Sequence, residues 1–237
     1  MKIARIFAPI VLTLLAACSS KGSTGTTTPD QDPGLAGGGD ATSAPDKNPA
    51  GVAYPTDHIG TNPRNGTNPG DRIKNFKFMG YPDGDVSKGL QPVSLANYFD
   101  PTETKYKLIH IQASGSWCPH CRNEVTAVDT IKADLDQRKV VWLVSLAEGD
   151  YVGQPSTKAD LDNWISAFKS PYTHLLDPGN QNLGPFYDDA ALPWNGNIRA
   201  KTMEIVTAGV GAVETGPGIL KEVDDVIAQL DAQGALQ

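Results

Sequence analysis

Three cysteines in 237 residues are too few for a disulfide framework. Cys18, Cys118 and Cys121 are the whole supply, and the four histidines, His58, His110, His120 and His174, are scattered, so a four-ligand structural zinc site lacks donors. Basic residues are scarce too. Lys plus Arg total 20 against 27 Asp plus Glu, a formal charge of −7, which argues against nucleic-acid binding and leaves no basic patch for anionic lipid. Long apolar runs are missing: the stretch from Ile6 to Leu15 is too short to span a bilayer. No internal repeat is present.

That short run has a different use. Lys2 and Arg5 precede it and small residues close it at Ala17, the pattern of an export signal over residues 1–17. Leu15-Ala16-Ala17-Cys18 resembles the bacterial lipobox, which implies cleavage before Cys18 and a lipid on that cysteine; an ordinary signal with an incidental cysteine is the alternative. Loss of Lys2 and Arg5 would take the mature charge to 18 minus 27, or −9. Residues 18–51 are almost wholly Gly, Pro, Ser, Thr, Ala and Asp, a flexible tether reaching roughly 30–35 Å. The globular domain is expected over 52–237. Ser19 stands where many Gram-negative lipoproteins carry the Asp that retains them at the inner membrane, so an outer-membrane anchor facing the periplasm is favoured if the host is Gram-negative.

Within the domain, Val52 to Gly70 is rich in Pro, Gly and Asn, with Tyr54 and Ile59 placing part of it on the surface of the fold. Phe76, Phe78 and Tyr81 alternate ahead of Pro82-Asp83-Gly84, and Val93, Leu95, Tyr98 and Phe99 follow, predicting an N-terminal β extension of two short elements and a turn. Lys107 to Gln112 reads as a buried strand. Val125, Val128, Ile131 and Leu135 recur at helical spacing, predicting one helix that ends near Arg138. Val140 to Leu146 is the clearest buried strand, and it completes a β-α-β unit. Leu161, Trp164, Ile165 and Phe168 form a second stripe, with Thr157-x-x-Asp160 as its start and Pro171 as its stop. A short strand over Thr173–Leu176 precedes a loop from Gly179 to Ala191. Trp194–Ile198 and Thr202–Thr207 form an antiparallel pair, and Pro217 opens a last helix with Leu220, Val223, Ile227 and Leu230 on one side.

Trp117-Cys118-Pro119-His120-Cys121 sits between the first buried strand and the first helix. With Cys118 at the N-cap and Pro119 at N1, two free N–H groups of the first turn can face the Cys118 sulfur and favour its thiolate. Cys121 at N3 comes within disulfide reach. The pair is therefore the candidate active site, able to open and close without refolding. Trp117 offers apolar surface beside it, or is core; Trp142, Trp164 and Phe168 read as core. Arg122 is a solvated helix residue or a charge near the thiolate, and Asp188 and Asp189 are candidates for shaping partner choice.

In order and motif the chain resembles the thioredoxin superfamily. Val93-Ser94-Leu95, Trp117 before Cys118 and Leu192-Pro193 before the hairpin are similar to the membrane-tethered TlpA/ResA-type redoxins. The resemblance implies an α/β fold, a central mixed sheet flanked by helices, and thiol–disulfide exchange with exported proteins. No cofactor beyond the redox-active disulfide is implied, and a monomer is expected. It makes Cys118 the exposed nucleophile, Cys121 the resolver, and Pro193 a cis proline that, with Leu192, shapes the substrate surface; Pro185 competes for that place. Two departures stand out. Gln112 occupies the position six residues before Cys118 where related proteins often keep a buried acid, and an amide cannot be a base; Glu124 is the nearest acid in sequence, expected on a different face. Pro119-His120 resembles the motif of DsbA, an oxidant, and a partly cationic His120 would stabilise the reduced form. The competing readings are a copper chaperone using His174, a non-catalytic partner-binding domain, and a thiol peroxidase. The last is disfavoured because Gly115 stands where that chemistry wants Thr or Ser.

Overall fold

The alternating apolar residues after Ile73 form the first strand of the structure, a computed structural model that describes residues 40–187 and 191–234. The export signal, Cys18, most of the tether, and Asp188 and Asp189 lie outside the described residues. Strand β1 (Lys77–Tyr81) turns through Pro82–Gly84 and pairs antiparallel with β2 (Gln91–Ser94). Asp83 and Gly84 both take positive φ in that turn, and a side chain on Gly84 would strike the Ser170 carbonyl, so glycine is required there.

The core is built by β3 (Leu108–Gly115) and β4 (Val140–Glu148), parallel to one another and buried along almost their whole length. Such strands carry apolar residues on both faces because helices cover both. Strand β5 (Thr173–Leu176) lies parallel to β4 and antiparallel to β1, while β6 (Trp194–Arg199) and β7 (Glu204–Val210) extend the other side as a hairpin. The order across the seven-stranded mixed sheet is β2-β1-β5-β4-β3-β6-β7. This is the expected α/β class with its N-terminal β extension.

Between β3 and β4 the single expected helix is two. Helix α1 (Pro119–Asp129) closes at Thr130, whose hydroxyl donates to the Ala127 carbonyl, and α2 (Lys132–Gln137) restarts after Ile131, which has left helical ψ. Val125, Val128, Ile131 and Leu135 are nevertheless all buried, so the apolar stripe survives the break. Helix α3 (Lys158–Phe168) begins with the expected reciprocal cap between Thr157 and Asp160 and ends at Lys169 in the left-handed region. Helix α4 (Gly216–Gly234) buries Ile219, Val223, Val226 and Leu230, with Leu220 and Ile227 on the flanks of that stripe.

The domain also starts earlier than residue 52. Ala44 is 3% exposed, Ser94 Oγ donates to the Pro45 carbonyl at 2.6 Å, and Asn48 Nδ2 donates to the Phe99 carbonyl at 2.9 Å. Residues 40–51 are held by backbone and amide hydrogen bonds, which leave no apolar period for a sequence reading to find. Among the described residues no helix is long and apolar enough to cross a membrane.

Candidate active site

Gly115 ends β3, and a side chain there would come within 2.8 Å of Trp117 Nε1, so glycine lets the indole fold back over the strand end. Trp117 then donates from Nε1 to the Glu148 carboxylate at the end of β4. Ser116 N and Trp117 N bond the Glu148 and Gly149 carbonyls. These contacts fix where α1 starts. Cys118 is its N-cap and Pro119 its first residue, as the motif predicts. One N–H, that of Cys121 at 3.1 Å, points at Cys118 Sγ, where the sequence suggested two.

Cys118 and Cys121 form a disulfide with their Cα atoms 5.3 Å apart. Both are buried, Cys118 at 1% and Cys121 at 0% exposure, so the expected exposed nucleophile is covered in this oxidised state. Its cover is the segment before β6. The Leu192–Pro193 peptide is cis, and the Leu192 carbonyl oxygen lies 3.6 Å from Cys118 Sγ, placed to accept from the thiol once the disulfide opens. Leu192 and Pro193 are themselves buried, and Pro119 and His120 are exposed. Pro185, the competing proline, sits in the short helical turn Gly184–Phe186.

Gln112 is buried beneath the motif. Its Nε2 donates to the Cys121 carbonyl at 3.2 Å and its Oε1 accepts from Trp142 Nε1 at 3.2 Å, so both ends of the amide are used as a brace. A buried carboxyl group lies on the helix instead. Glu124 follows Cys121 by three residues, and residues at that spacing are neighbours on a helix; both belong to the buried face of α1, which corrects the expectation of a different face. Burial pushes its carboxyl up to about 7, against hydrogen bonds from Val213 N and Asn195 that favour the charged form.

Behind Glu124 runs a buried polar chain that sequence reasoning missed. Asn195 Nδ2 is committed to Glu124 and to the Gly211 carbonyl, so its Oδ1 accepts from His110 Nε2 at 3.0 Å. His110 Nδ1 lies 2.9 Å from the Asn197 side-chain amide, which pairs with a neutral ring when its NH2 group is turned toward that nitrogen, and the ring stacks on Trp142 with centroids 3.5 Å apart. Burial lowers His110 to about 4, so the ring is neutral at pH 7. The available signal was His110 and Gln112 inside a strand otherwise read as apolar.

The other named residues fall apart from this cluster. His174 lies on β5, separated from β3 by β4. Among the described residues, no group of three or more His, Cys, Asp or Glu is placed to hold a metal. Arg122 leans over the half-buried Phe168 ring at 5.9 Å, away from a purely solvated role, while Trp142 and Trp164 are core.

No family model matches the chain, and no curated protein matches it in sequence. Solved structures do match. A thiol:disulfide interchange protein DsbE from Chlorobium tepidum aligns with TM-score 0.51 at 15% identity, covering 69% of this chain and 98% of its own. A 2-Cys peroxiredoxin from Plasmodium vivax aligns with TM-score 0.54 at 17% identity, covering 70% and 99%. AhpC from Enterococcus faecalis gives 0.51 at 14%, covering 68% and 92%. The chain has a thioredoxin fold. In this thioredoxin fold the disulfide sits where β3 hands over to α1, the cis-proline segment leads into the neighbouring β6, and the N-terminal β1–β2 pair is added beyond β5.

Proposed function

We propose that this chain is a thiol–disulfide oxidoreductase of the bacterial cell envelope, exchanging disulfides with exported proteins while tethered through lipid on Cys18. One observation carries the chemistry: the Cys118–Cys121 disulfide lies at the N-cap of α1 with the cis Leu192–Pro193 segment against the Cys118 sulfur.

In the oxidising direction a substrate thiolate attacks Cys118 Sγ, the Cys118–Cys121 bond breaks, and Cys121 leaves as a thiolate that takes a proton. A second substrate thiolate then attacks the substrate sulfur of the mixed disulfide and releases Cys118. The substrate loses two electrons and the enzyme pair gains them. In the reducing direction Cys118 attacks first and Cys121 resolves, at the high effective concentration that one helical turn provides. Glu124, half-protonated near neutrality, is the group on the Cys121 side that gives and takes that proton, the work Gln112 cannot do. The backbone at Leu192 and Pro193 receives the substrate segment as an added strand.

The partners are protein thiols and disulfides and one redox partner that sets the direction of flow; the chain acts as a monomer. The outer membrane is the favoured anchor for a Gram-negative host. The test is insulin reduction and oxidation of a reduced peptide dithiol by the purified chain and by Cys118→Ala. We expect both activities in the wild type and neither in the variant. Equal turnover by the variant would sink the assignment to Cys118, and no turnover by the wild type would leave a partner-binding domain.

A further inference from the structure

We propose that Glu214 is a positioning residue for this chemistry: it clamps the His120 imidazole from outside the motif and so limits the positive charge that Cys118 meets at the head of α1. The proposal rests on the thiol–disulfide reading and concerns how that pair is tuned.

Residues 211–215 run from β7 to α4 as a strap across the site. Gly211 N donates to the Pro193 carbonyl at 3.0 Å, and Val213 N donates to Glu124 Oε1 at 2.8 Å. Glu214 then uses both carboxylate oxygens on α1: Oε1 meets His120 Nδ1 at 2.5 Å and Oε2 accepts from Asn123 Nδ2 at 2.9 Å. Gly216 follows, and a side chain there would come within 2.7 Å of Ile131 Cγ2, so the strap is seated closely on the far end of α1 as well. Fixed at these points, the carboxylate is held against one ring. The hydrogen bonds from His120 and then Asn123 keep Glu214 below the usual carboxylate range, so it is charged at pH 7.

The electrostatic consequence holds for either protonation state of His120 but needs the ring, whose contact seats the Glu214 charge at the head of α1. In either state the His120–Glu214 pair bears one unit less positive charge than His120 alone. A thiolate at Cys118 is stabilised by nearby positive charge, and the more stable the reduced form, the more oxidising the disulfide. Glu214 therefore damps the oxidising influence of the Pro-His dipeptide. Other charges near the helix head are disposed differently: Arg122 lies over Phe168, and Glu124 is buried on the Cys121 side. Because the His120 and Glu214 side chains are 68% and 35% exposed, solvent screens the pair and the effect is moderate.

The experiment equilibrates the purified chain with glutathione at pH 7, as wild type, Glu214→Gln, His120→Asn and the double variant, with the pH dependence of Cys118 alkylation measured alongside. Glu214→Gln is expected to shift the equilibrium toward the reduced protein by about tenfold, about 30 mV, and to move Cys118 alkylation to lower pH. In the His120→Asn background the same change is expected to shift it less than twofold. A Glu214→Gln value within twofold of wild type, or an equal shift in both backgrounds, overturns the proposal. A wild type that does not exchange with glutathione at all overturns the underlying thiol–disulfide reading instead. Both residues are on the surface, so melting curves serve to verify that every variant is folded.

Discussion

His110 and His174 are both buried, and the strand register puts them on the same face of the sheet, His110 on β3 and His174 on β5 with β4 between. Their surroundings differ in every other respect. His110 has a side-chain partner at each nitrogen and a stacked indole, and it ends a chain that leads through Asn195 to Glu124 and α1. Among the described residues His174 has no hydrogen-bond partner at either nitrogen, and burial alone lowers it to about 3. The difference teaches where this fold uses buried polarity. Under α1, His110 and Gln112 are partnered and aimed; on β5 a buried ring is a cost without a visible return.

The largest effect that would break this contrast lies at its active end. Glu124→Gln is expected to slow the step in which Cys121 is protonated or deprotonated by about a hundredfold, and to flatten its pH profile between 6 and 8, read by single-turnover exchange. An unchanged profile would reduce the chain behind Glu124 to packing. The same variant should stabilise the fold. The folded carboxyl titrates at about 7 against an ordinary 4.5, so the stability it contributes is full below about pH 4.5 and is lost as pH rises through 7. Removing that titration should raise stability by about 3 kcal/mol at pH 8 and leave it nearly unchanged at pH 4, measured by urea unfolding.

The histidines titrate with the opposite sign. Both are held neutral by burial, so their contribution is full above about pH 6.5 and is lost as pH falls toward about 4 for His110 and about 3 for His174. Each accounts for about 2 kcal/mol of stability lost by pH 5. His174→Leu should remove about that much of the drop between pH 7 and 5 at little cost at pH 7. His110→Leu should remove a similar drop yet lose about 1–3 kcal/mol at pH 7, because Asn195 and Asn197 are left without their ring partner. Equal behaviour of the two variants at pH 7 would mean the polar chain under α1 holds nothing together.

Much of this molecule was legible in its residues. The spacing of Cys118 and Cys121, the proline between them and the strand before them locate the disulfide pair and the cap it makes, because a helix start is a local event set by a few adjacent residues. The reciprocal cap at Thr157, the strand Thr173–Leu176 and the hairpin of β6 and β7 were legible for the same reason. The break between α1 and α2 was not, since the apolar period runs through it undisturbed. Nor was the packing of residues 40–51, which depends on hydrogen bonds to residues far along the chain.

What only the tertiary structure decided is the setting of the sulfur atoms. Sequence alone named a missing acid at Gln112 and a partly cationic His120, and could not say what packs beside either. The folded chain supplies Glu124 from the helix and sets Glu214 on His120 from a strap 94 residues away. Local pattern determines where a thiol pair can form. Its burial, its acid and its neighbouring charge depend on which distant segments pack against it, and those contacts leave no period in the sequence.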